Sequence, residues 1–303
     1  MVCRYGTAII IILLSVGIFV VQGTIGVSEV ASVPTAHNNY SRVKAHRHHQ
    51  KLVLRSASVL VEDQQTGECL VRKHAETVSP IASITKLMTA MVVLDAKLDL
   101  QESLTIAHED VDTRRHSRSR LPVGTRITRG DALLIALMAS ENRAACALGR
   151  TYPGGLTAFV SAMNIKATSL GLTETRFDDP SGISSGNVSS ARDLARMVDA
   201  AYRYRLIRDF TTRKEASIHT GRRIREFRNS NRLIRSPRWQ IGLSKTGFID
   251  EAGRCLVMQA HVANRPVLIV LLDSQGKLTR YGDANRIRKW MEGPFAERHK
   301  HRG

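Results

Sequence analysis

A serine and a lysine three residues apart, Ser83 and Lys86, are the residues of this 303-residue chain whose spacing most directly suggests chemistry. In a helix, positions i and i+3 lie on one face about 5–6 Å apart at Cβ, so the lysine amine can reach the serine hydroxyl. A neutral lysine in that position can take the hydroxyl proton and make the serine a nucleophile. The S-x-x-K spacing is common, however, and a surface serine and lysine that merely share a helix face fit it equally well.

The helix predicted to carry this pair is apolar nearly all round, with no charge other than Lys86 before Asp95. One stripe has the i, i+3, i+4, i+7, i+8 spacing and consists of Ile84, Leu87, Met88, Met91 and Val92. A helix with apolar residues on every face is buried, so we expect Lys86 to be shielded from water. Desolvation disfavours the ammonium form and therefore favours lysine as a base.

Two further polar groups lie between or within regular elements. Ser140-Glu141-Asn142 separates a helix that begins at an N-cap, Thr128, from a second helical run after Ala144. Lys245-Thr246-Gly247 lies on a strand predicted over 239–248, in the first of three strands of an antiparallel meander. The lysine ammonium and the threonine hydroxyl can bind a carboxylate, and the glycine lets the backbone approach closely. Taken alone, however, Ser140-Glu141-Asn142 also fits a solvated turn, and Lys245-Thr246-Gly247 also fits an ordinary strand.

Other reactive residues carry less weight. Asp178 and Asp179 are adjacent carboxylates and could suggest the acid and base of a glycosidase. Neighbouring side chains in a turn point in different directions, however, and Asp before Pro is ordinary turn chemistry. After removal of a signal segment, Cys69, Cys146 and Cys255 remain, and their odd number and wide spacing predict small buried residues rather than a disulfide framework. We expect no metal site and no cofactor.

Taken in order, S-x-x-K on a buried helix, S-x-N between helices and K-T-G on a strand are the signature of the penicillin-recognising serine acyltransferases, which include penicillin-binding proteins and class A β-lactamases. The stretches IASITKLMTA (81–90), SENRAA (140–145), YPGG (152–155) and KTGF (245–248) closely resemble the D-alanyl-D-alanine endopeptidases of the penicillin-binding protein 7 type. The resemblance covers about 54–290. It implies an α+β, β-lactamase/DD-peptidase-like fold with a five-stranded antiparallel sheet flanked by helices and a mostly helical subdomain.

The resemblance also implies a role for each matching residue. Ser83 is the expected nucleophile toward a D-alanyl carbonyl of peptidoglycan, Lys86 its base, and Ser140 a proton relay to the leaving amine. The expected substrate-binding residues are Asn142, Lys245, Thr246 and Gly247. The expected oxyanion hole consists of the backbone N–H groups of Ser83 and Phe248. A β-lactam is expected to inhibit by leaving a long-lived adduct on Ser83.

Three other functions fit part of the pattern. A class A β-lactamase needs an E-x-x-L-N loop to activate the deacylating water, and we find none between Ser140 and Lys245. A D-alanyl-D-alanine carboxypeptidase shares all three motifs; many add a C-terminal β domain and an amphipathic helix, whereas this sequence ends soon after Trp290. A non-catalytic cell-wall binder would not need all three motifs intact. We therefore predict an endopeptidase that cleaves cross-links, with the carboxypeptidase as the alternative.

Charge and the N-terminus predict the organisation of the chain. The formal net charge is +18, which favours an anionic environment. The densest basic stretch, 203–238, lacks a nucleic-acid-binding signature, so we expect a solvated basic surface and no nucleic-acid partner. An apolar run near the start predicts a signal peptide, or an anchor, over 1–23 and a periplasmic protein. We then expect a polar basic linker over 24–50, the peptidase domain over 51–292 and a basic tail over 293–303, with peripheral membrane association left open.

Overall fold

The computed structural model describes residues 52–221 and 223–295. The predicted signal or anchor segment, the linker and residues 296–303 of the predicted tail lie outside the described residues. In the described part of the chain, no helix has both the length and the apolar character needed to cross a membrane.

The described residues form eleven strands and seven α-helices. The strands are β1 (Ser58–Asp63), β2 (Cys69–Lys73), β3 (Ser79–Pro80), β4 (Ser103–Thr105), β5 (Arg126–Thr128), β6 (Val188–Ser189), β7 (Glu215–Thr220), β8 (Arg223–Arg228), β9 (Gln240–Ile249), β10 (Gly253–Val262) and β11 (Arg265–Ser274). The α-helices are α1 (Lys86–Asp95), α2 (Arg129–Met138), α3 (Asn142–Arg150), α4 (Gly155–Ser169), α5 (Ala191–Tyr202), α6 (Arg205–Thr212) and α7 (Thr279–Trp290).

The described residues are built around a five-stranded antiparallel sheet in the order β2-β1-β11-β10-β9. Alternate residues of its strands point to opposite faces. Val257 and Val270 pack with buried residues of α1, α2 and α5, whereas Leu256 and Ile269 pack with α7 through residues such as Ile287. Both faces are therefore covered, which explains the nearly continuous apolar sequences of β10 and β11. The predicted sheet and meander are confirmed.

Local signals in the sequence account for several element boundaries. The turn between β1 and β2 is made by the Asp63 carboxylate, which accepts hydrogen bonds from the backbone of Gln65 and Thr66. Helix α2 begins where the Thr128 hydroxyl accepts a hydrogen bond from the backbone N–H of Asp131, at 3.0 Å. This contact confirms the predicted N-cap.

Two expectations from the sequence need correction. Cys69 is exposed, not buried, because it opens β2, which is an edge strand of the sheet; Cys146 is half-buried and Cys255 is buried. Ser83 does not lie in the α-helix itself but in a 3-10 turn, Ala82–Thr85, that leads into α1.

The basic stretch, residues 203–238, forms α6 and the hairpin β7–β8. Several of its arginines, including Arg223, Arg228 and Arg235, are exposed as predicted.

Candidate active site

The 3-10 turn places Ser83 directly against Lys86. Side chains three residues apart eclipse each other in 3-10 geometry, and the Lys86 Nζ donates a hydrogen bond to the Ser83 Oγ at 2.8 Å. The turn starts from an uncommon backbone conformation, since Ala82 has a φ of 49°, in the left-handed region. The predicted serine and lysine therefore form a hydrogen-bonded pair.

Lys86 is buried as the apolar helix predicts, with 1% of its surface exposed. Besides Ser83, its amine donates to the Asn142 Oδ1 at 2.7 Å and to the Ser181 carbonyl oxygen at 2.5 Å. Burial lowers the pKa of Lys86 from its ordinary 10.5 to about 8, against an opposing effect of Asp179. An amine with this pKa is available in its neutral form near physiological pH.

A second buried lysine approaches the site from the sheet. Lys245 on β9 is 1% exposed, and its Nζ donates to the Ser140 Oγ and to the Thr246 carbonyl oxygen, both at 2.8 Å. Burial, and then the charges of Lys86 and Arg280, lowers the pKa of Lys245 well below its ordinary value. The S-x-N and K-T-G groups, far apart in sequence, are thus joined by a direct contact.

Ser140 and Asn142 occupy the junction between α2 and α3, as expected. Ser140 has a φ of 63°, and a left-handed backbone at a residue other than glycine marks a position held by its surroundings. Asn142 is the first residue of α3, and its Nδ2 donates to the Ser117 Oγ at 3.0 Å while its Oδ1 accepts from Lys86. The asparagine therefore connects the lysine to the loop that precedes β5.

Gly247 allows β9 to lie against the Ser83 turn. A Cβ at this position would be 2.8 Å from the Ile81 carbonyl oxygen and 3.3 Å from the Ser83 nitrogen. On the far side of the strand, the Arg280 guanidinium of α7 donates to the Gly247 carbonyl oxygen at 2.8 Å. The strand is held from both sides, with the backbone that follows Gly247 next to the serine.

The Ser83 side chain opens onto a cleft of about 380 Å³. The cleft is lined by Ser83, Asp112, Arg114, Arg115, Ser117, Asn142, Gly182, Ile183, Phe248, Ile249 and Asp250. Phe248 is 48% exposed at its rim. Arg115 crosses one end, because its Nε donates to the Ile183 carbonyl oxygen at 2.8 Å and its Nη2 contacts the Glu251 carboxylate at 2.7 Å. The cleft therefore gives a ligand access to the Ser83 hydroxyl.

A larger cavity of about 650 Å³ shares Asp112, Arg114 and Ile183 with the cleft but is not lined by Ser83 or Lys86. Within residues 52–221 and 223–295, no group of three or more His, Cys, Asp and Glu side chains is arranged to hold a metal ion.

The sequence motifs do not include every group at the site. The Ser181 carbonyl, which contacts Lys86, belongs to the turn after Asp178-Asp179-Pro180, where sequence analysis recognised only turn chemistry. Ser230 also lies outside the motifs; its hydroxyl contacts the Thr246 Oγ1 at 2.8 Å. A backbone carbonyl has no residue-type signature, and a serine that enters the site from a distant segment has no spacing to reveal it.

A serine that opens onto a cleft and is hydrogen-bonded to a buried lysine, with a second buried lysine on the neighbouring edge strand of an antiparallel sheet, defines a serine acyl-transfer enzyme with the DD-peptidase fold. The family model for peptidase S11, described as D-alanyl-D-alanine carboxypeptidase, matches residues 44–276. The chain belongs to this family of serine peptidases, which confirms the resemblance found in its motifs.

Individual relatives agree with this assignment. A D-alanyl-D-alanine endopeptidase of Pseudomonas aeruginosa is 50% identical over 242 residues, which cover 79% of this chain and 78% of the relative. One from Escherichia coli is 43% identical over 263 residues, covering 86% and 85%. A D-alanyl-D-alanine carboxypeptidase of Streptomyces sp. is 34% identical over 239 residues, covering 73% and 82%. The crystal structure of the Streptomyces K15 DD-transpeptidase superposes with a TM-score of 0.73 at 30% identity, covering 79% of this chain and 98% of that one.

Proposed function

We propose that the protein is a serine D-alanyl-D-alanine endopeptidase that hydrolyses the peptide cross-links of peptidoglycan through an acyl-enzyme on Ser83. The observation that carries the proposal is the 2.8 Å hydrogen bond between Ser83 and the buried Lys86. The names of the relatives that are 50% and 43% identical support the choice of endopeptidase.

In the proposed acylation, neutral Lys86 takes the Ser83 hydroxyl proton while the Ser83 Oγ bonds to the D-alanyl carbonyl carbon. The C=O π bond opens to an oxyanion, for which the backbone N–H groups of Ser83 and Phe248 form the hole. Such donors typically contribute about 10²–10³-fold in rate. When the oxyanion collapses, the C–N bond breaks and the leaving amine takes, through Ser140, the proton that Lys86 had accepted from Ser83, so Lys86 is neutral again. Water then attacks the ester carbonyl carbon and gives a proton to Lys86. The bond to the Ser83 Oγ breaks, Ser83 takes that proton back, and the product leaves with a free carboxyl group.

Lys245, Thr246 and Gly247 are proposed to bind the carboxylate of the substrate. The support is their position on β9, with Lys245 buried and the Thr246 hydroxyl already engaged with Ser230. A lysine whose pKa is lowered by burial gains a proton more readily when a carboxylate arrives, because an opposite charge within hydrogen-bond distance favours the charged form. Substrate binding and charging of Lys245 are then coupled. Asn142 is proposed to orient both the Lys86 amine, which it contacts at 2.7 Å, and the backbone of the substrate.

A carboxypeptidase that removes a terminal D-alanine is the second candidate, favoured by the description of the matching family and by the name of the Streptomyces relative. Digestion of purified cross-linked muropeptides, followed by mass spectrometry, separates the two. Conversion of a dimer into two monomers supports the endopeptidase. Loss of a single alanine with the cross-link intact would contradict the endopeptidase assignment and support the carboxypeptidase.

Covalent labelling by a fluorescent penicillin tests the nucleophile. We expect the wild-type protein to be labelled and Ser83→Ala to remain unlabelled while keeping the wild-type circular dichroism spectrum and melting temperature. Folded wild-type protein that takes no label would exclude the acyl-enzyme mechanism and favour a non-catalytic wall binder. Turnover of nitrocefin should be slow, since no E-x-x-L-N loop follows Ser140.

The proposed substrate lies outside the cytoplasmic membrane, so the predicted signal over 1–23 and a periplasmic location belong to the same proposal. In this division of the chain, 24–50 is a basic linker, 51–292 the peptidase domain and 293–303 a basic tail. The net charge of +18 favours contact with anionic wall or membrane surfaces. Cell fractionation with N-terminal sequencing of the mature protein tests the location and the cleavage site.

A further inference from the structure

The loop 179–184, between β-bridge residue Arg176 and β6, is fixed by a single carboxylate. The Asp179 Oδ1 accepts hydrogen bonds from the Ser181 backbone N–H and hydroxyl, both at 2.6 Å, and from the Gly182 N–H at 2.7 Å. Its Oδ2 accepts from the Ser184 N–H at 2.7 Å and from the Asn187 Nδ2 at 3.1 Å. Five donors on one carboxylate give this short segment a single conformation.

The same loop is also held against α1 and against the 3-10 turn that precedes it. The Thr89 Oγ1 donates to the Pro180 carbonyl oxygen at 2.6 Å. Gly182 lies so close to the Ser83 turn that a Cβ there would be 2.0 Å from the Ala82 carbonyl oxygen. Between these two contacts the Ser181 carbonyl points at the Lys86 amine, 2.5 Å away.

The partners of Lys86 determine which way a neutral amine faces. A neutral amine has two N–H groups and one lone pair, whereas a backbone carbonyl can only accept a hydrogen bond. The Ser181 carbonyl therefore takes one N–H, and the Asn142 Oδ1 takes the other. Among the three partners, only the Ser83 hydroxyl can donate, so the lone pair faces Ser83.

We propose that Asp179 is a positioning residue for acylation: by fixing the loop 179–184 it holds the Ser181 carbonyl on Lys86 and so aims the lone pair of the amine at the Ser83 hydroxyl. The inference rests on the proposed Ser83 acyl-enzyme and adds to it a residue that lies outside the three sequence motifs. Without the carboxylate, the five donors lose their common acceptor, and the carbonyl no longer restricts rotation of the amine.

Asp178 provides a matched control. It is the neighbouring carboxylate, its nearest cation is Arg176 at 3.3 Å, and its only side-chain hydrogen bond within the described residues comes from the Ser184 hydroxyl at 3.4 Å. Asp178→Asn removes the same charge one residue away without disturbing the contacts of Ser181. We expect it to acylate at the wild-type rate.

The test measures the second-order rate constant of penicillin acylation as a function of pH, together with the fraction of protein labelled at completion. The labelled fraction counts folded molecules, so the rate constant refers to those molecules alone. In Asp179→Ala we expect the rate constant at high pH to fall about tenfold or more, because misorientation of a reacting group is costly. An unchanged rate constant in the labelled fraction of Asp179→Ala would overturn the proposal.

Asp179→Asn separates position from charge, since its amide oxygen can keep the contacts with Ser181 and Gly182. The ionisable groups that face Lys86 are Asp179, Cys146, Glu141 and Lys245. Burial lowers the pKa of Lys86 and the Asp179 charge raises it. Asp179→Asn should therefore keep a rate at high pH within about threefold of wild type while its pH midpoint moves down.

If Asp179→Ala does not fold, Asp179→Ser takes its place, because its short hydroxyl cannot accept the five hydrogen bonds of the carboxylate, and an unchanged rate constant at high pH in its labelled fraction would overturn the proposal. An equal fall in the rate constant of Asp178→Asn would also do so, because the effect would then belong to the loop's overall charge. Failure of wild type and Asp178→Asn to label at all would instead contradict the Ser83 acyl-enzyme itself.

Discussion

The Lys86 Nζ lies 2.8 Å from the Ser83 Oγ, and the two residues are separated by only two others in the chain. The lysine is a near neighbour of its serine in sequence, but the other groups that contact its amine are not. The amide of Asn142 and the carbonyl of Ser181 come from segments 56 and 95 residues away. A short motif thus contains the proposed nucleophile and base, and distant segments of the fold provide their surroundings.

The first prediction concerns the pH dependence of acylation. Because neutral Lys86 is the proposed base and burial lowers the pKa of Lys86 to about 8, the acylation rate should rise with pH, reach half its maximum near that value and level off above it. Stopped-flow mixing with a fluorescent penicillin measures this profile. Lys86→Arg keeps the positive charge but cannot act as a base, so it should label at a negligible rate. A wild-type rate that does not change across this range would contradict the assignment of the base.

The second prediction concerns stability. The pKa of Lys86 is about 8 in the folded protein, below its ordinary value of 10.5. Between about pH 8 and 10.5 the unfolded chain therefore binds more protons than the folded protein does. The free energy of unfolding should therefore rise with pH across this window, by about 3 kcal/mol from this lysine at 1.36 kcal/mol per pKa unit.

Urea denaturation of the wild type and of Lys86→Met at several pH values isolates this contribution. Methionine fills a similar volume and has no proton to lose, so the difference in unfolding free energy between the two proteins should increase from pH 8 upward in favour of the wild type. Parallel curves for the two proteins would show that Lys86 has the same pKa in the folded and unfolded states.

The third prediction concerns Gly247. A Cβ there would lie 2.8 Å from the Ile81 carbonyl oxygen, so Gly247→Ala must push β9 away from the Ser83 turn. A displacement of this kind is expected to slow acylation by about 10²-fold. In Gly282→Ala, the nearest atom to the new Cβ is the Arg286 Nη1 at 3.5 Å, and this control should acylate normally. Equal rates in the two variants would contradict the close approach.

The fourth prediction concerns the attachment of α7. The buried Asp283 carboxylate accepts hydrogen bonds from the backbone of Arg55 and Ser56, from the Ser56 hydroxyl at 2.6 Å and from Arg286. Burial opposes its ionisation, but these hydrogen bonds outweigh burial and lower the pKa of Asp283 below its usual range. Asp283→Ala leaves several donors unpaired and should lower the free energy of unfolding by about 3 kcal/mol in urea titrations at neutral pH.

The sign of the acid dependence follows from the lowered pKa of Asp283. Its contribution is present above the unfolded pKa and is lost as the pH falls through the folded value, so Asp283→Ala and the wild type should converge in stability in acid. Asp209→Ala is the control, because Asp209 is exposed in a 3.7 Å pair with Arg205 and such pairs contribute little. A loss of stability as large as that of Asp283→Ala in this control would contradict the role of the buried carboxylate.

Much of this architecture could be predicted from the sequence because its signals are local. The apolar runs of β10 and β11, the Thr128 N-cap and the all-round apolar α1 each specify their own element. The contacts of Ser181, Ser230 and Arg280 could not be predicted, since they join segments distant in sequence through backbone carbonyls or common side chains. The 3-10 turn at Ser83 was also unpredictable, because Gly182 and Gly247 press on it from other parts of the chain.

The close packing around Ala82 has a consequence for when the enzyme becomes active. The segments at 82, 182 and 247 touch through their backbones, and until they meet, Ser83 is an ordinary alcohol in water and Lys86 an ordinary cation. Folding is therefore the activation step of this hydrolase. A newly made chain therefore carries the residues of the three motifs without their reactivity until these segments have come together.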